Sequence, residues 1–299
     1  MPEDKGGLSI CIPVYNKAPL LGRTLESIRR QNIDNLEVVA VDNGSKDDSL
    51  KILESWRDRL HLKIYSLPKT ISAPENWLLA LSLATREFTK LQGADDIIPD
   101  GALAALLQKL RDDAQIGFVC GKSLPMDGRG EMIRTGVLHD YWSMVNETRR
   151  QMGAARTIEE KGACLARMRI GWSMFGDANS MVFRSKLLPC LRQGVDNLAA
   201  SFQTWPEYEI NLRLFAAADA GFVDMPVSFY SYDEDSHLKK IDTYAFRRRS
   251  NDMPAANIVI MLMLDPDLRP LMRAAGWRFA LKMLGWHTAK GWLMMRGKK

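Results

Sequence analysis

Phe88-Thr89-Lys90-Leu91-Gln92-Gly93-Ala94-Asp95-Asp96 decides how this chain is read. Four strand-like residues, Phe88 to Leu91, run into a turn of small residues and then two adjacent carboxylates. On extended backbone, successive side chains point to opposite faces. Asp95 and Asp96 can therefore serve two different partners at one strand end. Open α/β sheets gather ligands at the carboxyl ends of their strands, and a paired-acid turn there suits a divalent cation carrying a diphosphate. Adjacent aspartates also occur in plain solvated turns. Asp100 is placed to cap a helix over Gly101 to Leu110.

Upstream of that turn, strand and helix patterns alternate. Leu8 to Pro13 reads as a buried strand stopped by proline, and Val14 to Lys17 as a loop. Leu20, Leu21, Thr24, Leu25 and Ile28 keep helical spacing. Leu36 to Val41 is a second strand ending at Asp42-Asn43-Gly44-Ser45, after which Ser45 or Asp47 can cap a helix through Leu50, Leu53 and Trp56. Leu62 to Leu67 is a third strand. Pro74 or Glu75 opens a helix bearing Asn76, Leu79, Ala80 and Leu83. This alternation predicts an α/β fold with a mostly parallel sheet flanked by helices.

The first loop lacks GxGxxG, and no GxxxxGK[ST] occurs in the chain, so both glycine-rich phosphate cradles are missing. Phosphates must be held some other way, and a metal on Asp96 could supply it. Lys and Arg number 41 against 36 Asp and Glu, and a net charge of +5 over 299 residues gives no chain-wide nucleic-acid footprint. Cys11, Cys120, Cys164 and Cys190 show neither CxxC pairing nor zinc spacing, which reads as reduced thiols in a cytoplasmic protein. The first residues carry no signal-peptide core, and the apolar run Ile258 to Leu264 is too short to span a bilayer.

Downstream, Ile116 to Cys120 and Glu131 to Leu138 read as strands across a turn at Met126-Asp127-Gly128. A charged helical insertion covers about 140–170, with a scaffold role or an acceptor-side wall as its two uses. Ser180 to Arg184 is a further strand. Trp205-Pro206-Glu207-Tyr208-Glu209 starts a helix with proline in its first turn, and Gly221 is placed to end it. Phe222 to Tyr230 is the last strand, running into Asp233-Glu234-Asp235-Ser236-His237.

In this order the pieces resemble the inverting family-2 glycosyltransferases of GT-A (Rossmann-like) fold. Ser9-Ile10-Cys11-Ile12-Pro13-Val14-Tyr15-Asn16 resembles their opening strand, and Val39 to Asp47 their second strand and its turn. Asn76 with Ala80, then Leu91 to Asp96, resembles the helix and strand that deliver a DxD-type acid pair. Pro206 to Leu214 resembles the helix of the catalytic acid. The resemblance implies a GT-A domain over 1–240, with a nucleotide-sugar half at 8–112 and an acceptor half at 113–240. It implies a donor site of Pro13, Tyr15, Asp42, Asn76 and Asp95. There Asp42 accepts the N3–H of uracil and Asp95 accepts from the ribose. Asp96 would hold Mg²⁺ or Mn²⁺ on the diphosphate, with Asp233 or His237 as a further ligand. Glu207 matches the catalytic base when Arg213 anchors the helix, and Glu209 is the alternative. The implied partners are a nucleotide sugar, UDP-linked, and a glycan or lipid-linked acceptor of surface polysaccharide synthesis.

Residues 241–299 form a basic helical segment. Trp277, Leu281, Leu284, Trp292 and Met295 share a stripe beside Arg278, Lys282 and Arg296. Such a stripe suits an anionic membrane surface on the cytoplasmic face, or packing on the catalytic domain. Two other functions fit parts of the pattern. A nucleotidyltransferase would need a basic glycine-rich loop that Val14 to Lys17 does not supply. The presence of Asp42, Asp95, Asp96 and Glu207 together argues against a non-catalytic nucleotide-sugar-binding adaptor that keeps the fold and has lost the chemistry.

Overall fold

The computed structural model of the protein describes residues 7–167, 178–194, 206–232 and 265–276. Its strands are β1 (Leu8–Val14), β2 (Leu36–Asp42), β3 (Leu62–Ser66), β4 (Phe88–Leu91), β5 (Ile116–Asp127), β6 (Met181–Arg184) and β7 (Asp219–Tyr232). They form one sheet in the order β3-β2-β1-β4-β6-β5-β7. β1 to β4 run parallel, β6 pairs antiparallel with both β4 and β5, and β7 is parallel to β5. The helices are α1 (Ala18–Arg29), α2 (Ser49–Leu60), α3 (Ala73–Ser82), α4 (Ala102–Asp112), α5 (Val137–Met152), α6 (Ile158–Arg167), α7 (Leu188–Gly194), α8 (Pro206–Ala217) and α9 (Arg269–Ala275).

Period-two alternation splits the core into two layers. Ile10, Ile12, Val38 and Ala40 pack with Leu21, Leu25, Leu53, Leu103 and Leu107 of α1, α2 and α4. Cys11, Val41 and Leu91 pack with Ala80, Leu165, Leu212, Phe215 and Leu271 of α3, α6, α8 and α9 on the other face. Burial pushes the thiols of Cys11 and Cys120 up, which keeps them neutral. The N-terminal ends of the strands are tied by a buried carboxylate. Glu37 accepts from Ser9 Oγ at 2.5 Å, Lys63 Nζ at 2.6 Å, and Thr85 N and Oγ1 at 3.0 and 2.8 Å. Burial pushes this carboxyl up, but the Lys63, Ser9 and Thr85 hydrogen bonds outweigh it and hold it at about 2.

Three local readings are corrected. Glu131 to Leu138 is not a strand; Met132 makes one bridge to Met126, and α5 begins at Val137. Asp100 does not cap α4. Its carboxylate pairs with Arg30, and Gly101 stands at the cap with φ of 77°, a left-handed conformation that glycine adopts without strain. Gly221 does not end α8, which stops at Ala217. Gly221 lies in β7, where an added Cβ would sit 2.9 Å from Val119 Cγ2.

The helical insertion forms α5 and α6. Arg149 of α5 is buried and donates from Nη1 to Gly121 O at 3.1 Å and Ser123 Oγ at 2.8 Å. Asn146 exchanges two 2.9 Å bonds with the Ser123 backbone. These contacts give α5 a scaffold role against β5.

Candidate active site

The strand order reverses between β1 and β4, so the loops after these strands leave in opposite directions and open a crevice at their carboxyl ends. One wall is the loop after β1, knitted to the loop after β2. Asn16, with φ of 51°, accepts Lys46 N through Oδ1 at 2.8 Å and donates from its own N to Ser45 Oγ at 3.0 Å. Lys17 N donates to Ser49 Oγ at 2.8 Å, and Ala18 N to Asp47 Oδ2 at 3.0 Å. Pro13 lies in β1 and is partly buried, while Tyr15 is exposed.

Asp42, at the end of β2, is 1% exposed. Its carboxylate accepts Ser45 N at 3.3 Å and Ser66 Oγ at 3.2 Å. Asn43 exchanges hydrogen bonds with the backbone of Ile71 and ties down the loop after β3. Ser72 and Glu75 then form a capping box at the start of α3. Asn76 in the first turn of α3 is buried, and its Oδ1 meets no donor among the described residues.

The opposite wall is the acid turn. Asp95 forms an ion pair with Lys17 across the crevice. Asp96 is 3% exposed and has both carboxylate oxygens engaged. Oδ1 accepts Ser231 N at 2.8 Å, and Oδ2 accepts Asn179 Nδ2. Asn179 also accepts Gly93 N through Oδ1 at 2.5 Å, and its carbonyl accepts the buried Lys90 ammonium. The acids do not diverge as alternating strand residues would. A Cβ on Gly93 would lie 2.7 Å from Asp96 Oδ2 and 3.3 Å from Asp95 Oδ1, so the turn folds both carboxylates over one glycine. That close approach is what requires glycine here.

The distal end of β7 completes this wall. Ile97 and Phe229 pair through N–H···O bonds of 3.1 and 2.8 Å, and Ser231 Oγ donates to the Asp95 carbonyl. Lys17, Asn179 and Ser231 were given no role by the sequence. Lys17 was visible as the lone cation of the first loop. Asn179 and Ser231 lie 83 and 135 residues from Asp96, with no spacing signal to reveal them.

Glu207 stands in the first turn of α8, and its side chain lies outside the described residues. Glu209 is 3% exposed and accepts Arg213 Nε at 2.9 Å. Arg213 Nη2 reaches Asp265 Oδ2 at 2.6 Å. Burial pushes the guanidinium down, but Glu209 and Asp265 outweigh it and raise its pKa. α8 packs against the 3-10 turn Ala178–Ser180 that carries Asn179, which links the helix of Glu207 and Glu209 to the acid turn. Asp233 and His237 lie outside the described residues, as does the Trp277 to Arg296 stripe.

The sequence profile of glycosyl transferase family 2 matches residues 9–173. The chain belongs to this family. Among its relatives, abequosyltransferase RfbV of Salmonella typhimurium is 23% identical over 264 residues, 84% of this chain and 76% of that protein. Poly(ribitol-phosphate) beta-N-acetylglucosaminyltransferase TarS of Staphylococcus aureus is 33% identical over 128 residues, 41% of this chain and 22% of TarS. The structure of TarS 1–349 in complex with UDP-GlcNAc aligns with a TM-score of 0.64 at 17% identity, covering 95% of this chain and 74% of that one. Mannosyltransferase PcManGT from Pyrobaculum calidifontis, in complex with GDP-Man and Mn²⁺, aligns at 0.57 and 18% identity, covering 99% and 83%. At these identities the two structures speak for the fold alone, and the sheet of this family-2 chain is the expected GT-A-like one.

Among the described residues no group of three His, Cys, Asp or Glu forms a cage. Mg²⁺ and Mn²⁺ take oxygen donors, and Mg²⁺ is commonly held by one or two carboxylates with substrate phosphates and water completing the shell. Two carboxylates converging over Gly93 fit that pattern. No helix among the described residues is long and apolar enough to cross a membrane.

Proposed function

We propose that this family-2 glycosyltransferase moves a sugar from a UDP-linked donor to a glycan or lipid-linked acceptor in surface polysaccharide synthesis, with inversion and with Mg²⁺ or Mn²⁺. The observation that carries the reading is the convergence of Asp95 and Asp96 over Gly93, on the same edge of the sheet as the buried Asp42. The relatives' names give it direction: TarS acts on poly(ribitol-phosphate), and its solved form holds UDP-GlcNAc.

Asp42 is an acceptor-only group, so it favours a base with a ring N–H, uracil over cytosine. Asp95 receives the ribose hydroxyls once Lys17 turns toward the diphosphate, and Asn76 offers its unpartnered Oδ1 beside the donor. Asp96 holds the cation, with Asn179 and Ser231 fixing its carboxylate. Asp233, two residues past Ser231, is the nearer candidate for a further ligand, and His237 the farther. A bound cation supplies Lewis-acid stabilisation of the leaving diphosphate. Inversion is a single displacement, so the acceptor hydroxyl attacks from the face opposite the diphosphate and needs a base there. Glu207, at a helix N-terminus that favours its ionised form, takes that proton. Glu209 is committed to Arg213 and is the second choice.

A panel of nucleotides and nucleotide sugars, scored for thermal stabilisation of the full chain with Mn²⁺, tests the reading. UDP species should raise the melting temperature in a concentration-dependent way. Equal stabilisation by CDP, or none by any UDP species, contradicts it.

A further inference from the structure

Asp265 lies far past the family match at 9–173, yet it touches the helix of the proposed base. Its Oδ2 accepts Arg213 Nη2 at 2.6 Å, and Arg213 Nε donates to Glu209 Oε1 at 2.9 Å. The three residues are 8%, 2% and 3% exposed in that order. Asp265 is itself held from its own side. Its Oδ1 accepts Asp267 N at 2.9 Å, and its carbonyl accepts Arg269 N at 3.0 Å as the chain turns into α9. Leu268 and Leu271 are fully buried. α9 lies so close to α6 that a Cβ on Gly162 would stand 2.3 Å from the Ala274 carbonyl carbon.

We propose that Asp265 is a positioning residue for the general base, an inference that rests on the assignment of Glu207. Residues two apart on an α-helix differ by about 200° around its axis. Fixing the direction of position 209 therefore fixes the direction of position 207. Glu209 alone cannot do this, because a lone pair with Arg213 leaves the guanidinium fork half satisfied and free to swing. Asp265 takes the other arm of the fork and ties it to α9, which is docked on α6. Desolvation offsets much of a buried ion pair's attraction, so the role assigned to this one is positional. Residues 265–276 thus complete the catalytic half from outside the matched family region.

The test uses the full chain and whichever UDP-sugar of a panel the wild-type protein hydrolyses fastest, with UDP release as the rate and calorimetry for UDP affinity in Mn²⁺. Asp265→Asn should lower kcat about 10–100-fold, the scale on which a misplaced reacting group loses rate, while the Kd for UDP stays within about twofold of wild type. Asp265→Glu should recover most of that loss. Amide exchange at residues 209–214 should quicken, with β1 and β4 unchanged. Unchanged kcat in Asp265→Asn overturns the inference, as does a loss of UDP affinity in step with kcat. If Asp265→Asn does not fold, the triple variant Glu209→Gln, Arg213→Met, Asp265→Leu removes the charges of this buried cluster together, and the same split between kcat and Kd decides. Glu207→Gln is measured alongside. If it keeps wild-type turnover, the base assignment has failed; if it loses turnover while Asp265→Asn keeps it, only the positioning role has.

Discussion

Lys17, in the loop after β1, pairs with Asp95, in the turn after β4, across the point where the strand order reverses. Both side chains are partly exposed, at 31% and 21%. A pair this wet adds little to stability, so its value lies in placing a cation where a diphosphate would sit. Lys17→Met should leave the melting temperature nearly unchanged and weaken UDP binding about tenfold, the scale of one charge-assisted hydrogen bond. Titration calorimetry reads this directly. An unchanged Kd means that the ammonium only neutralises Asp95.

Asn179 holds the acid turn from behind through Asp96 and Gly93. Groups that orient a metal ligand are typically worth about 10–100-fold in metal affinity. Asn179→Ala should weaken Mn²⁺-dependent UDP binding on that scale and cost about 1–3 kcal/mol of stability from the unpaired buried groups. Denaturant unfolding and Mn²⁺ titration separate the two effects. Loss of stability with unchanged Mn²⁺ affinity would leave Asn179 a structural role alone.

Glu37 gives the fold an acid limit. Its folded-state pKa, about 2, lies below the ordinary 4.5. A depressed carboxyl contributes stability that is full above the unfolded pKa and is lost as pH falls toward the folded one. Wild-type stability should therefore fall between about pH 4.5 and 2, and Glu37→Gln should flatten part of that fall. Urea unfolding at a series of pH values checks it. A parallel decline in both proteins would assign the loss to other carboxyls.

Membrane docking by the C-terminal stripe calls for a cut after Gly276. A cut after Asp267 would remove Leu268, Leu271, Met272 and Ala275 from the core and confuse unfolding with release. If the stripe docks, the protein ending at Gly276 should lose binding to anionic liposomes, and salt should release the full chain. Equal liposome binding by the two proteins, or none by either, contradicts docking.

The nucleotide half was legible because its signals are local. β1 and β2 are short apolar runs with turn residues at their ends, and the acid pair follows β4 after a three-residue turn. The reading failed where tertiary contacts overrode local chemistry. Asp100 looked like a helix cap, but Arg30 claims its carboxylate. Gly221 looked like a helix stop, but its missing side chain makes room for Val119 beneath β7. Glu131 to Leu138 has strand-like residues and no partner strand beyond the single Met126 bridge. Asn179, Ser231 and Asp265 are ordinary polar residues in sequence. Only the antiparallel return of β6, the length of β7 and the docking of α9 bring them to the site.

Asp96 is proposed to hold a divalent cation on a UDP-linked donor. Titrating UDP into wild-type and Asp96→Asn protein, each with and without Mn²⁺, tests it most directly. Mn²⁺ should strengthen UDP binding to the wild-type chain by about tenfold or more, at least roughly 1.4 kcal/mol. This gain should vanish in Asp96→Asn while metal-free binding persists. Equal Mn²⁺ dependence in the two proteins would contradict it.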